Sequence, residues 1–263
     1  MITTDHMEIL KRGLAAWNQW RRDSPEEMPR LRGLNLFEAE LEGADLSCAD
    51  LEESDLRRAN LFSANLEGAR LRHARLDDVD LGEANLSGAD LKRAGLDSAN
   101  LGRANLKGAD LRGAVFSRAS LSGSRLERAN LEHSKLDGVN LAAAALDEAN
   151  LEGASIVGAD LTGAVLRRAR LRGGTLDGAC LVNANLRDAD LRGDLRGADL
   201  RNSDLRGADF RAADLREADL SNAELGRTNF YGANLRGANI TGVDLSGAVN
   251  LKDDQVVQAR RDG

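Results

Sequence analysis

From Leu31 onward a large apolar residue falls on every fifth position of the chain. The series runs 31, 36, 41 and so on to 191, resumes at 195 and continues to 245; of its 44 members 39 are Leu, the others being Phe116, Ile156, Phe210, Phe230 and Ile240. If each is called position i, then i-2 is nearly always Ala, i-1 favours Asp or Asn, and i+2 is often Gly. A period of five matches neither the 3.6 residues of an α-helical turn nor the two-residue alternation of a flat strand. It fits a short extended piece followed by a turn, repeated, with i-2 and i directed inward and i-1, i+1 and i+2 outward. Small Ala beside large Leu fills a narrow interior without voids. Asp, Asn and Gly suit the bends, because Asx side chains bond local amides and Gly tolerates tight backbone.

Composition agrees with a repeat and excludes several alternatives. Aromatic residues make up 3% of 263, too few for a conventional core of interlocking rings. The evenly spaced Leu set the chain apart from disordered low-complexity sequence. A net charge of -7, from 43 acidic and 36 basic side chains, opposes direct binding to a nucleic-acid backbone. No apolar run reaches the length of a membrane span, and charges are scattered through the first thirty residues, so the expected location is the cytoplasm, away from membranes. Cys48 and Cys180 lie too far apart in sequence for a zinc motif or a disulfide framework, and read as free thiols.

The strings ADLSCADL, ANLSGADL, ANLKGADL and ANLRGANI resemble the A(D/N)LXX signature of pentapeptide repeat proteins, and the resemblance covers residues 31–247. It implies an all-β solenoid: a right-handed quadrilateral β-helix in which four five-residue faces make each 20-residue coil. The repeats then supply about eleven coils, a rod on the order of 50 Å long at a strand spacing of ~4.8 Å. Its interior is a continuous leucine ladder with no room for a pocket. Each buried Leu contributes roughly 1.5–3 kcal/mol, so stability accumulates coil by coil.

Such a rod exposes apolar side chains and unpaired edges at both ends. Residues 5–23 predict an N-terminal capping helix, with Thr4 or Asp5 as N-cap and Met7, Leu10, Leu14 and Trp17 on one face. The only two prolines, Pro25 and Pro29, end it. Residues 248–263 predict a short C-terminal capping helix that lays Val256 and Val257 on the last coil. The expected organisation is therefore 1–29 capping helix and linker, 30–247 β-helix, 248–263 cap and tail. The terminal helices either close their own rod, leaving a monomer, or join a second copy as a homodimer.

No constellation for catalysis emerges. His73 and His133 occupy equivalent positions three coils apart, roughly 14 Å at strand spacing, too far to share a zinc ion. Most carboxylates are the i-1 Asp of the repeat, whose role is to hold turn amides. No phosphate loop, dinucleotide fingerprint or nucleophile elbow is present. No metal, cofactor or enzymatic activity is expected.

The surface remains. Summed over outward positions, the face through Leu41, Leu61 and Leu81 is the most acidic, through Glu40, Glu42, Asp80, Glu83, Asp160, Asp199 and Asp219. Its middle is the smoothest neutral stretch, with Ala142, Thr162 and Val182 among Ser120, Ser122, Asn140, Ala143, Cys180 and Asn183. A flat strip with few long side chains to immobilise is a fitting place for a rigid partner to dock. One reading is thus a non-enzymatic scaffold for protein–protein interaction. The resemblance implies another, a DNA-mimicking protein that binds DNA gyrase, a type II topoisomerase, and confers resistance to its inhibitors, since an acidic rod of duplex-like width suits a basic channel. Abundant surface Arg and the lack of an inserted loop depart from that branch.

One residue is missing from the pattern at LRGDLRGADL, residues 191–200. The i-2 Ala before Leu195 is absent, Gly193 takes the inward slot, and Asp194 keeps i-1. The expectation is a tightened turn with little bend, made feasible by backbone angles open to Gly193.

Overall fold

The computed structural model describes residues 6–259. The body of the chain winds into stacked coils whose register is set by parallel bridges one residue long, exemplified by Arg30↔Asp50, Asn35↔Asp55, Glu40↔Asn60 and Asp45↔Asn65. These begin four columns of bridges, one per face of a quadrilateral, and each bridging residue is an i-1 position. The two-way pairing around it explains the regularity. Leu41 N–H donates to the Asn60 carbonyl of the next coil at 2.7 Å, and Asn60 N–H donates back to the Ala39 carbonyl at 2.9 Å.

The corners are turns of one kind. The amide of i+3 donates to the carbonyl of i, as from Ala44 to Leu41 at 3.0 Å, and i+2 has left-handed backbone, as the second central residue of a type II turn requires. From Gly33 to Gly242 every i+2 residue but Gly193 adopts it, with φ from 54° at Ser63 to 75° at Gly207. Glu38, Cys48, Arg58, His73 and Ala143 do so as well as the glycines. Residue type at i+2 therefore does not choose the turn; the ladder imposes it.

Inside, the Leu and Ala columns are sealed, with residues such as Ala44, Leu46, Leu106 and Leu166 at 0% exposure. Phe210 and Phe230 stack with centroids 5.4 Å apart on successive coils. Where i-2 carries a hydroxyl, several bond a carbonyl instead of stranding it in the core: Ser54 donates to Leu51 at 2.7 Å and Thr228 to Leu205 at 2.7 Å.

The short coil keeps the ladder. Bridges pass from a 20-residue to a 19-residue offset at Thr175↔Asp194 and return to 20 at Asp194↔Asp214. Leu195 is fully buried, and its amide reaches the Asp214 carbonyl at 2.8 Å. The reason for a glycine differs from the expectation. Gly193 is outside the left-handed region, and a Cβ there would lie 2.5 Å from the Gly174 carbonyl oxygen. Close backbone approach, not unusual angles, requires Gly193.

The N-terminal segment is two helices rather than one: α1, His6–Lys11, and α2, Leu14–Asp23. They part at Gly13, whose φ of 97° breaks helical continuity. The proposed N-cap at Thr4 or Asp5 lies outside the described residues. Trp17 is buried, and Met7, Leu10 and Leu14 are partly buried against the core. Polar groups do as much here as apolar ones. The first coil's backbone would pair with a preceding coil, and side chains supply that pairing instead. Trp17 Nε1 donates to the Asp45 carbonyl at 2.8 Å, the Asn18 side-chain oxygen accepts from the Asp45 amide at 2.9 Å, Arg21 reaches the Ser47 carbonyl at 3.2 Å, and His6 Nδ1 accepts from the Arg30 amide at 3.0 Å.

At the other end α3, Asp253–Gln258, turns the unexpected residue inward. Gln255 is buried and its Nε2 donates to the carbonyls of Phe230 at 3.0 Å and Ala233 at 2.7 Å. Val257, two residues on and so about 200° around the helix, is 83% exposed. The expected packing of Val257 on the last coil is therefore corrected; Val256 is half-buried.

Candidate interaction surface

The bridges place the candidate residues on one face, in the column Glu40, Asn60, Asp80, Asn100, Ser120, Asn140, Asp160, Cys180, Asp199, Asp219. Glu42, Glu83, Ala142, Thr162 and Val182 flank the inward residues of the same column. They share a face but do not converge, being spread over many coils. Asn residues tie neighbouring coils: Asn60 Nδ2 donates to Glu40 at 3.1 Å and to Glu42 at 3.4 Å, and Asn100 Nδ2 to Asp80 at 2.9 Å. The i-1 side chain also holds the next outward amide, as Asp160 does for Thr162 at 2.9 Å, Asn140 for Ala142 at 3.0 Å and Asp219 for Ser221 at 2.9 Å. Thr162 Oγ1 lies 3.3 Å from Cys180 Sγ. The middle of the face is thus built from short side chains already bonded within it.

Charge is distributed differently from a plain acidic strip. Side chains at i-1 and i+1 leave the same face on either side of an inward Leu, so Asp at the first and Arg at the second meet as a fork. The pairs Asp194–Arg196, Asp199–Arg201, Asp204–Arg206, Asp209–Arg211 and Asp214–Arg216 follow one another around all four faces, with shortest contacts of 2.6–2.8 Å. Hydrogen bonds from Arg196, Arg201, Arg206 and Arg216 hold the Asp194, Asp199, Asp204 and Asp214 carboxyls below the ordinary carboxylate range. For Asp110, burial pushes the carboxyl up, but bonds from Arg112 and Lys92 outweigh it and bring it down to about 2. On the candidate face Asp199 is neutralised by Arg201, and Glu83 faces Arg103 at 3.5 Å. Among the described residues Glu40, Glu42, Asp80, Asp160 and Asp219 form no salt bridge. The D-L-R triplets are visible in the sequence; that the two side chains close on each other as forks is a finding of the structure.

Among the described residues no cluster of His, Cys, Asp and Glu is placed to hold a metal ion, and no helix is long and apolar enough to cross a membrane. Both cysteines are free thiols. A groove of roughly 260 Å³ lies between the N-terminal helices and the first coil, walled by Met7, Leu10, Leu14, Phe37 and Leu41.

Comparison with known proteins agrees with the repeat. The family model for pentapeptide repeats matches in eight copies that together span residues 35–249. No curated protein matches. Among solved structures, HetL of the cyanobacterium Nostoc sp., a pentapeptide repeat protein involved in heterocyst differentiation regulation, is 32% identical over 85% of this chain and 95% of its own, with a TM-score of 0.33. A trypsin-treated form of QnrB1, a plasmid-mediated fluoroquinolone resistance protein, is 20% identical over 68% of this chain and 91% of its own, with a TM-score of 0.44. A pentapeptide repeat protein of the Arabidopsis thaliana thylakoid lumen is 35% identical over 41% of this chain and 68% of its own, with a TM-score of 0.22.

Proposed function

The chain belongs to the pentapeptide repeat family, whose members fold as right-handed quadrilateral β-helices, and from that premise we propose that it is a non-enzymatic scaffold whose faces bind a protein partner. The observation that carries this reading is the sealed interior: Leu and Ala columns fill the rod, so recognition is left to the outer faces. The rod in this reading has about eleven coils over 30–247. Segments 1–29 and 248–263 act as caps, and the protein works in the cytoplasm.

Docking is assigned to the middle of the face that bears Ala142, Thr162 and Val182. Between Arg103 and Asp199 that face has Asp160 as its one charged outward residue, so a partner meets short side chains that lose little entropy. Ala142→Arg and Val182→Glu change outward positions and leave the leucine ladder intact. Each is expected to abolish crosslinking to the partner in native cells without lowering the melting temperature. Undiminished crosslinking in both variants would remove the assignment.

A second reading, binding to DNA gyrase as a DNA mimic, is favoured by the carboxylates of Glu40, Glu42, Asp80, Asp160 and Asp219, which stand on one face without salt bridges. The Asp–Arg forks from 194 to 216 weigh against it, because they cancel charge on every face. A supercoiling assay separates the two. Inhibition of gyrase, or relief of quinolone poisoning, at micromolar protein supports mimicry; no effect at saturating protein leaves the scaffold reading alone.

A further inference from the structure

The missing residue has a chemical consequence beside the geometric one. From Gly33 to Arg227 each i+2 amide donates to a carbonyl of the next coil, and Gly193 is the sole exception. Its regular acceptor is the carbonyl of Arg211, as the Arg206 carbonyl is for Asp188 at 3.0 Å. The one-residue deletion has removed the turn that aims this N–H along the ladder, and the glycine is half-buried, within reach of solvent.

The freed N–H belongs to a residue that lines a surface hollow of roughly 430 Å³ together with Arg172, Gly173, Arg192, Arg211 and Ala212. The three arginines are i+1 residues of one face on successive coils, about 4.8 Å apart along the axis. The corner residues between them carry at most a methyl group, which leaves the floor of the hollow open. Two of the guanidiniums are already oriented. Arg192 is held by Asp190, and Arg211 by Asp209, each through Nε and Nη2. In both, Nη1 makes no hydrogen bond within the described residues. Arg172 has no ion pair among them. Glu152, which also acts on Arg192, is paired with Arg170 at 2.7 Å, so three guanidiniums against the Asp190 and Asp209 carboxylates leave the hollow positive, with unused guanidinium N–H donors on its walls and the residue of the freed amide in its lining.

Guanidinium forks match tetrahedral oxyanions better than point charges do, and backbone amides released from regular pairing form anion-binding concavities. We propose that the shortened corner is a phosphoryl-binding site, in which Arg172, Arg192, Arg211 and the Gly193 amide take inorganic phosphate or the phosphoryl group of a monoester. This site is independent of the partner-docking face, from which it is separated by a neighbouring face of the quadrilateral.

The test uses the full chain, inorganic phosphate and phosphoserine as probes, and titration calorimetry with the Gly193 amide followed by NMR at constant ionic strength. Two altered chains are compared with the original. One carries an alanine inserted between Gly193 and Asp194, which restores the regular turn, re-pairs the amide and leaves every charge in place. The other is Arg172→Gln. Saturable binding of phosphate to the original chain, with a shift of the Gly193 amide, is expected. Each altered chain is expected to bind about tenfold or more weakly, the size of one hydrogen bond to a charged group. The inserted chain is expected to melt no lower than the original. Phosphoserine binding alongside phosphate extends the site to esters, and phosphate binding alone assigns it to the free ion. Absence of saturable phosphate binding to the original chain, or equal binding by either altered chain, overturns the proposal.

Discussion

Left-handed backbone costs an L-residue about 1–2 kcal/mol, yet Ala143 adopts it with φ of 56° at an exposed corner. Ala143→Gly should therefore raise stability by about 0.5–1 kcal/mol in urea unfolding, with part of the relief offset by glycine's freedom in the unfolded chain. The glycines around the short coil separate two reasons for the same residue. Gly197 has φ of 61° and nothing within 4 Å of an added Cβ, so Gly197→Ala should cost about 1 kcal/mol from backbone angle alone. At Gly193 the added Cβ meets a carbonyl oxygen that belongs to the ladder itself. Gly193→Ala should cost about 3 kcal/mol, because backbone gives way less readily than side chain, and should lower amide protection at Leu195 and Asp214. Equal losses at the two sites, with protection unchanged, would contradict the distinction. Only the presence of glycine could be read from the sequence here; the reason for it depends on how near Gly174 comes from the coil before.

At the level of elements, both ends of the rod substitute side chains for a missing coil. The apolar stripe of the N-terminal segment was legible, since Met7, Leu10, Leu14 and Trp17 recur at helical spacing. The break at Gly13 and the roles of Asn18, Arg21 and Gln255 were not, because they depend on which edge carbonyls and amides the terminal coils leave unpaired. Gln255→Leu keeps the volume but strands the carbonyls of Phe230 and Ala233, and should destabilise the last coil by about 2 kcal/mol or more. Faster hydrogen exchange confined to residues 230–250 would report it. The Asp–Arg forks make a second prediction, for acid. Asp110, Asp194, Asp199, Asp204 and Asp214 titrate lower in the folded chain than in the unfolded one. Their stabilisation is full above the unfolded value of about 4 and is lost as the pH falls through the folded values, Asp110 persisting to about 2. Unfolding monitored by circular dichroism should thus become easier between about pH 4 and 2. Arg206→Gln should move the onset to higher pH; an unchanged onset would deny the forks a part in acid stability.

For the molecule as a whole, one periodicity carried most of the architecture. A large residue at i and a small one at i-2 determine which side is core, and the period of five resolves into four faces because every fourth repeat returns to the same column, as Glu40, Asn60 and Asp80 do. What the period does not convey is how charge meets across a face. Residues such as Asp199 count as acidic in sequence and as half of a neutral pair in space. The same regularity tempers likeness between relatives, since two of every five positions are fixed by the core and generate identity without any shared partner. The 19-residue coil has a further meaning at the level of the gene. Loss of a single codon at a corner leaves every downstream codon facing the side it faced before, whereas gain of five codons would rotate everything downstream by a quarter of the circumference. Indels in such a chain therefore fall into two kinds by length, those that renumber the faces and those that reshuffle them. The two portions on either side of Gly193 can accordingly diverge in surface while their faces stay aligned.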